Sequence, residues 1–95
     1  MNKTLASIVT NWVPSGSKVI DFGCGDGALL KMLAEQKSII GYGVENDPAK
    51  INECISNGVS VIQQDIDTGI QDYRDMGFDL AIMASSIQCL RRPRN

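Results

Sequence analysis

Three observations predict an α/β fold built on a parallel sheet. The hydrophobic period switches repeatedly between helix and strand, three alternating glycines follow an apolar strand, and a carboxylate closes the next strand. In chain order, Leu5, Ile8, Val9 and Trp12 recur at helical spacing, and Pro14-Ser15-Gly16 ends that helix. Lys18 to Phe22 reads as the first strand. Leu29, Leu30, Met32 and Leu33 give residues 27–36 an apolar face to lay on a sheet, and Ile39 to Glu45 form the second strand. Asp47 caps a further helix, Pro48 suits its first turn, Ile51, Cys54 and Ile55 supply its buried side, and Gly58 sits just past its end. Val59 to Gln63 alternate as a half-covered edge strand does. Asp65 to Gly77 is polar, turn-rich and weakly helical around Ile70 and Tyr73, a short crossover into the fourth strand, Phe78 to Ala84. Helices between successive strands imply right-handed crossovers, and a ligand in such a sheet lies at the carboxyl ends of the strands, where the glycine loop falls.

Composition narrows the function classes. At 95 residues the chain is one domain at most, and 43% hydrophobic with 21% charged residues is the balance of a globular protein. A net charge of -2 and a pI near 4.8 argue against nucleic acid or an anionic membrane as a partner. Arg91, Arg92 and Arg94 are the only basic cluster and read as a solvated chain end. No apolar run approaches the ~20 residues that span a bilayer and no signal-peptide pattern opens the chain, so the cytoplasm is the expected location. Cys24, Cys54 and Cys89 are odd in number and widely spaced, without a Cys-x-x-Cys pair. They are expected to be reduced thiols rather than a disulfide framework or a zinc site. The chain has no histidine, which removes His-based triads and the commonest metal ligand.

The chemistry concentrates in Val19-Ile20-Asp21-Phe22-Gly23-Cys24-Gly25-Asp26-Gly27. Gly23, Gly25 and Gly27 allow a tight turn and close approach of a ligand, and the helix that follows points its first amides at the same spot. Cys24 is a small residue tolerated between them. Asp21 and Asp26 add negative charge, which would repel a pyrophosphate and attract a ligand carrying a sulfonium and an ammonium, such as S-adenosyl-L-methionine. Gly23-x-Gly25-x-x-Ala28 also satisfies the dinucleotide fingerprint formally, so a dinucleotide remains the competing ligand; Asp21, placed where its phosphates would come, weighs against it. Glu45, 20 residues beyond Gly25, stands where a carboxylate can accept from both ribose hydroxyls. At the end of the third strand, Asp65 could accept from an adenine amino group while Ile66 packs on the ring.

These stretches resemble the class I S-adenosylmethionine-dependent methyltransferases through Asp21 to Gly27, Gly43-Val44-Glu45-Asn46-Asp47, Gln64-Asp65-Ile66-Asp67 and the strand Phe78 to Ala84. A narrower likeness, to the MetW family of methionine biosynthesis, rests on Trp12-Val13-Pro14, Gly41-Tyr42-Gly43-Val44-Glu45 and Ser86-Ile87-Gln88-Cys89-Leu90-Arg91-Arg92-Pro93. The resemblance implies a Rossmann-like sheet in the order 3-2-1-4, a cytoplasmic bacterial protein and an association with homoserine O-acyltransferase. By the same resemblance, Asp21, Gly23, Cys24, Gly25 and Gly27 surround the methionyl part of the cofactor. Glu45 and Asn46 hold the ribose, Asp65 and Ile66 hold the adenine, and Ser85 with Ser86 faces the transferable methyl. No general base is identifiable, and the Asn-Pro-Pro-Tyr or Asp-Pro-Pro-Tyr signature of amino-methylating members is absent.

Class I methyltransferases build seven strands, whereas four are legible here. Residues 1–95 are therefore expected to be the N-terminal portion of one cofactor-binding domain, without most of the acceptor-site wall and so not a competent catalyst alone. In the order 3-2-1-4 the fourth strand would be a naked edge, which predicts self-association as a homo-oligomer or marginal stability.

Overall fold

The computed structural model describes residues 3–65, 73–83 and 88–91. Helix α1 (Lys3–Trp12) leads into strand β1 (Lys18–Phe22), helix α2 (Ala28–Lys37), strand β2 (Ile40–Glu45), helix α3 (Pro48–Ser56) and strand β3 (Ser60–Gln63). A single 3-10 turn (Tyr73–Met76) precedes strand β4 (Leu80–Met83), and strand β5 (Gln88–Arg91) follows. The sheet order is β3-β2-β1-β4-β5. β1 pairs in parallel with both β2 and β4, β2 with β3 likewise, and β5 alone runs antiparallel. The expected α/β class and the order 3-2-1-4 are both present.

Local chemistry explains the element ends. Asp47 accepts from the Ala49 amide at 3.0 Å, with Pro48 in the first turn of α3. Gly58 adopts φ +74 just after that helix, and its amide closes the end on the Ile55 carbonyl. The amide of Lys18 donates to the Asp79 carboxylate at 2.9 Å and the Asp79 amide to the Lys18 carbonyl at 2.8 Å, which fixes the register between β1 and β4.

Strand alternation divides the core between the two faces of the sheet. On one face Val19, Leu80 and Ile82 pack with Leu29, Leu30 and Leu33 of α2, Val9 and Val13 near α1, and Cys54 of α3. On the other, Ile20, Phe22, Val44 and Ala81 pack with Tyr73 and Phe78. The Phe22 and Tyr73 rings meet edge to face at 6.0 Å, as do Tyr42 and Phe78 at 5.6 Å.

The periodic residues of α1 divide between core and solvent, and two expectations need correction. The buried face of α1 is carried by Val9, with Val13 just beyond the helix, whereas Ile8 is exposed and Trp12 is 53% exposed. The helix packs against α2, and Ile8 and Trp12 lie outside that contact. In α3, Cys54 is fully buried but Ile55 is 62% exposed, because the helix lies over edge strand β3 and presents only its innermost side chains to the core. The fourth strand is not an edge. β5 pairs with it in the register Leu80 with Arg91 to Met83 with Gln88, so the ladder hydrogen bonds that self-association was to satisfy are taken within the chain.

Candidate cofactor site

The site forms where β1 and β2 end side by side. Beyond the last paired residues, Phe22 and Val44, the chain turns through Gly23, Gly25 and Gly27 at φ +76, +61 and +80, a left-handed run that side chains with a Cβ rarely adopt. The Gly23 amide donates to the Val44 carbonyl at 2.8 Å, carrying the β1–β2 ladder into the loop. A Cβ built on Gly25 meets nothing within 4 Å, so the crest of the loop faces open space. Its floor is tight: a Cβ at Gly43 would come within 2.9 Å of the Cys24 Cβ and overlap its sulfur. The second glycine of Gly41-Tyr42-Gly43 is thus required by the loop above it.

Glu45 ties the two strand ends together. Its Oε1 accepts from the Gly25 amide at 3.1 Å, and its Oε2 from the amides of Asn46 and Asp47, each at 3.1 Å. Three of the roughly four lone-pair positions of a carboxylate are therefore occupied by backbone donors. Asp26 is also engaged: its Oδ1 accepts from the Ala28 amide at 2.9 Å, capping the start of α2, and its carbonyl accepts from the Asn57 side-chain amide at 2.8 Å.

Asp21 has the opposite environment. Only 1% exposed, it has no hydrogen-bond partner on either carboxylate oxygen among the described residues. Burial, with a smaller contribution from the nearby Glu45 carboxylate, lifts its carboxyl to about 7. Its backbone pairs with Gly43 on one side and Ile82 on the other, so it sits at the centre of the sheet immediately before the glycine loop.

Asp21, Gly23, Cys24, Gly25, Gly27, Glu45 and Asn46 are therefore gathered around two adjacent loops. Asp65 is exposed just after β3, where the neighbouring Gln64 amide donates to the Glu45 carbonyl at 3.2 Å. Ile66, Ser85 and Ser86 lie outside the described residues. Two participants were missed by sequence reading. Cys54 donates its thiol hydrogen to the Gly25 carbonyl at 2.9 Å, and Asn57 reaches the Asp26 carbonyl. Helical spacing marked Cys54 as inward-facing; no sequence signal placed it under a loop 29 residues away.

Against this geometry, a model of the family described as "Methionine biosynthesis protein MetW" matches residues 3–95. The chain belongs to the MetW family. A relative from Rhodopirellula baltica, "Bifunctional methionine biosynthesis protein MetXA/MetW", is 29% identical over 86 residues, covering 82% of this MetW-family chain and 14% of the relative. Among solved structures, a TehB-like SAM-dependent methyltransferase from Corynebacterium glutamicum superposes with a TM-score of 0.63 at 21% identity, over 83% of this chain and 42% of that one. A SAM-dependent methyltransferase from Thiobacillus denitrificans, solved with S-adenosyl-L-homocysteine, gives a TM-score of 0.60 at 20% identity, over 92% and 39%. At such identities the structural likeness establishes the fold, Rossmann-like and of the methyltransferase type. The chain spans less than half the length of each of these proteins. No helix among the described residues is long and apolar enough to cross a membrane.

Proposed function

We propose that this chain is the S-adenosyl-L-methionine-binding portion of a methyltransferase-like, cytoplasmic protein of methionine biosynthesis. The observation that carries the reading is Asp21, a buried carboxylate with no partner among the described residues, at the base of an open glycine loop. Such a group lends the loop negative potential at short range, favouring a ligand with an ammonium and a sulfonium over one with phosphates. The residues present fit that ligand. The open crest at Gly25 leaves room for its methionyl part, and Glu45 retains about one lone-pair position for a ribose hydroxyl. Taking both hydroxyls would require one backbone donor to leave Glu45, and Asn46 lies beside it. Asp65, with Ile66, is assigned to the adenine and Ser85 to the methyl end. When bound, the cofactor supplies an activated methyl group, and what these residues contribute is its placement and orientation.

The test is a calorimetric titration with S-adenosyl-L-homocysteine of the native chain, Asp21→Ala and Glu45→Ala, with circular dichroism confirming that each is folded. Binding that both substitutions weaken supports the reading. No binding by a folded native chain rejects it. Reduced nicotinamide dinucleotide, titrated in parallel, should give no heat.

A second reading is favoured by the relative that joins MetXA and MetW in one chain. A MetW-type unit would then serve as partner or regulator of homoserine O-acyltransferase, its nucleotide site acting as a sensor. Rescue of acyltransferase activity by a Glu45→Ala form of the longer protein would favour this role. Methyl incorporation abolished by the same substitution would favour catalysis.

A further inference from the structure

Where the glycine loop meets α3 lies a pair of thiols to which the proposed function assigns no chemistry. Cys24, within the loop, and Cys54, on α3, bring their sulfurs to 3.4 Å, with the shared hydrogen bond buried. Cys54 is fully enclosed and Cys24 is 8% exposed, so access is from the loop side. A second contact sets the arrangement: the Cys54 thiol also lies 2.9 Å from the Gly25 carbonyl, the residue whose amide is held by Glu45. The sulfurs are about 1.4 Å outside the ~2.05 Å of a disulfide, a gap that a small shift of the glycine loop closes.

We infer that Cys24 and Cys54 form a reversible intramolecular disulfide that latches the glycine loop to α3. With a small-molecule disulfide as oxidant, the Cys24 thiolate attacks one of its sulfurs and releases one thiolate, leaving a mixed disulfide on Cys24. Cys54, losing its proton to solvent, then attacks the Cys24 sulfur and expels the second thiolate. Two protein thiols are oxidised and one small disulfide is reduced to two thiols. Burial raises both thiols above their ordinary range, so the first attack waits for the loop to open and admit solvent. The product has no thiol hydrogen left for the Gly25 carbonyl, so oxidation alters the hydrogen bonding of the loop crest as well as tethering it. Any effect on cofactor affinity rests on the function proposed above; the bond itself does not.

The experiment treats the folded full chain carrying Cys89→Ser with glutathione disulfide and reads intact mass and peptide maps, beside Cys24→Ser and Cys54→Ser controls in the same background. The expected product is monomeric, two hydrogens lighter, maps to a Cys24–Cys54 cross-link and returns to the starting mass with dithiothreitol. Each control should instead stop at a glutathione adduct or remain unmodified. A chain that keeps both thiols while folded, or accumulates a stable glutathione adduct with both cysteines present, overturns the inference. Because the readout is covalent and needs no nucleoside, it is independent of the S-adenosyl-L-homocysteine titration.

Discussion

The ends of β1 and β2 lie side by side and each carries a carboxylate, yet the two are solvated by the protein in opposite ways. Glu45 is half-exposed and collects three backbone amides, so its charge is balanced by donors that would otherwise be orphaned at a turn and a helix start. Asp21 is buried and collects none among the described residues. The contrast separates two jobs that a sequence motif lumps together. Glu45 ties the two strand ends together, while Asp21 is a buried carboxyl held without a partner among the described residues at a cost to stability, the arrangement expected where a ligand is to provide the compensation.

Removing the clamp is the strongest way to break this comparison. Glu45→Ala leaves three amides without their acceptor and should cost on the order of 2–4 kcal/mol, read by urea denaturation, along with most of the affinity for S-adenosyl-L-homocysteine. If stability were unchanged, Glu45 would not be a structural clamp.

Asp21→Asn should have the opposite sign. A carboxyl raised to about 7 in the folded chain, against about 3.9 unfolded, binds its proton more tightly when folded. Its contribution to stability is therefore fully present below pH ~4 and is lost as pH rises to ~7, by on the order of 4 kcal/mol at most. Asp21→Asn should flatten that part of the pH profile and raise stability at pH 8 while weakening nucleoside binding. A cationic ligand should draw the carboxyl into its ionised form, so native binding near pH 7 should release protons, seen as a buffer-dependent heat that the Asn variant lacks.

The floor of the loop gives a smaller effect. Gly43→Ala forces a Cβ against Cys24 and should cost about 1–3 kcal/mol, with part of the loss recovered when Cys24→Ala removes the sulfur. The smallest is Asp47→Ala, which removes one side-chain cap two residues beyond Glu45 and should cost about 1 kcal/mol in thermal or urea denaturation. Its effect on nucleoside affinity should be slight if Glu45 by itself organises that strand end.

Much of this was legible in the chain. The spacing from the glycine loop to Glu45 placed the two at adjacent strand ends, because parallel strands joined by one crossover helix must finish at the same edge of the sheet. The cap at Asp47 and the stop at Gly58 were readable because both are local backbone chemistry. Ile55 was misplaced because periodicity locates an apolar stripe without saying how wide a contact the neighbouring layer offers. The antiparallel β5 went unseen, since four residues, two polar flanking two apolar, are too short to carry a strand pattern of their own and pair through the ladder that β4 presents.

The sequence by itself determined the α/β class, the parallel run of four strands, the glycine loop and the two carboxylates near its base, all consequences of periodicity, glycine conformation and element order, while the order 3-2-1-4 came with the family resemblance. Only the tertiary structure decided that Glu45 accepts three backbone donors while Asp21 has none among the described residues, and that Cys24 and Cys54 touch. Those facts depend on which groups from distant segments arrive within about 3 Å of one another. Hydrogen bonding and desolvation act at that range, and spacing along a chain does not encode it.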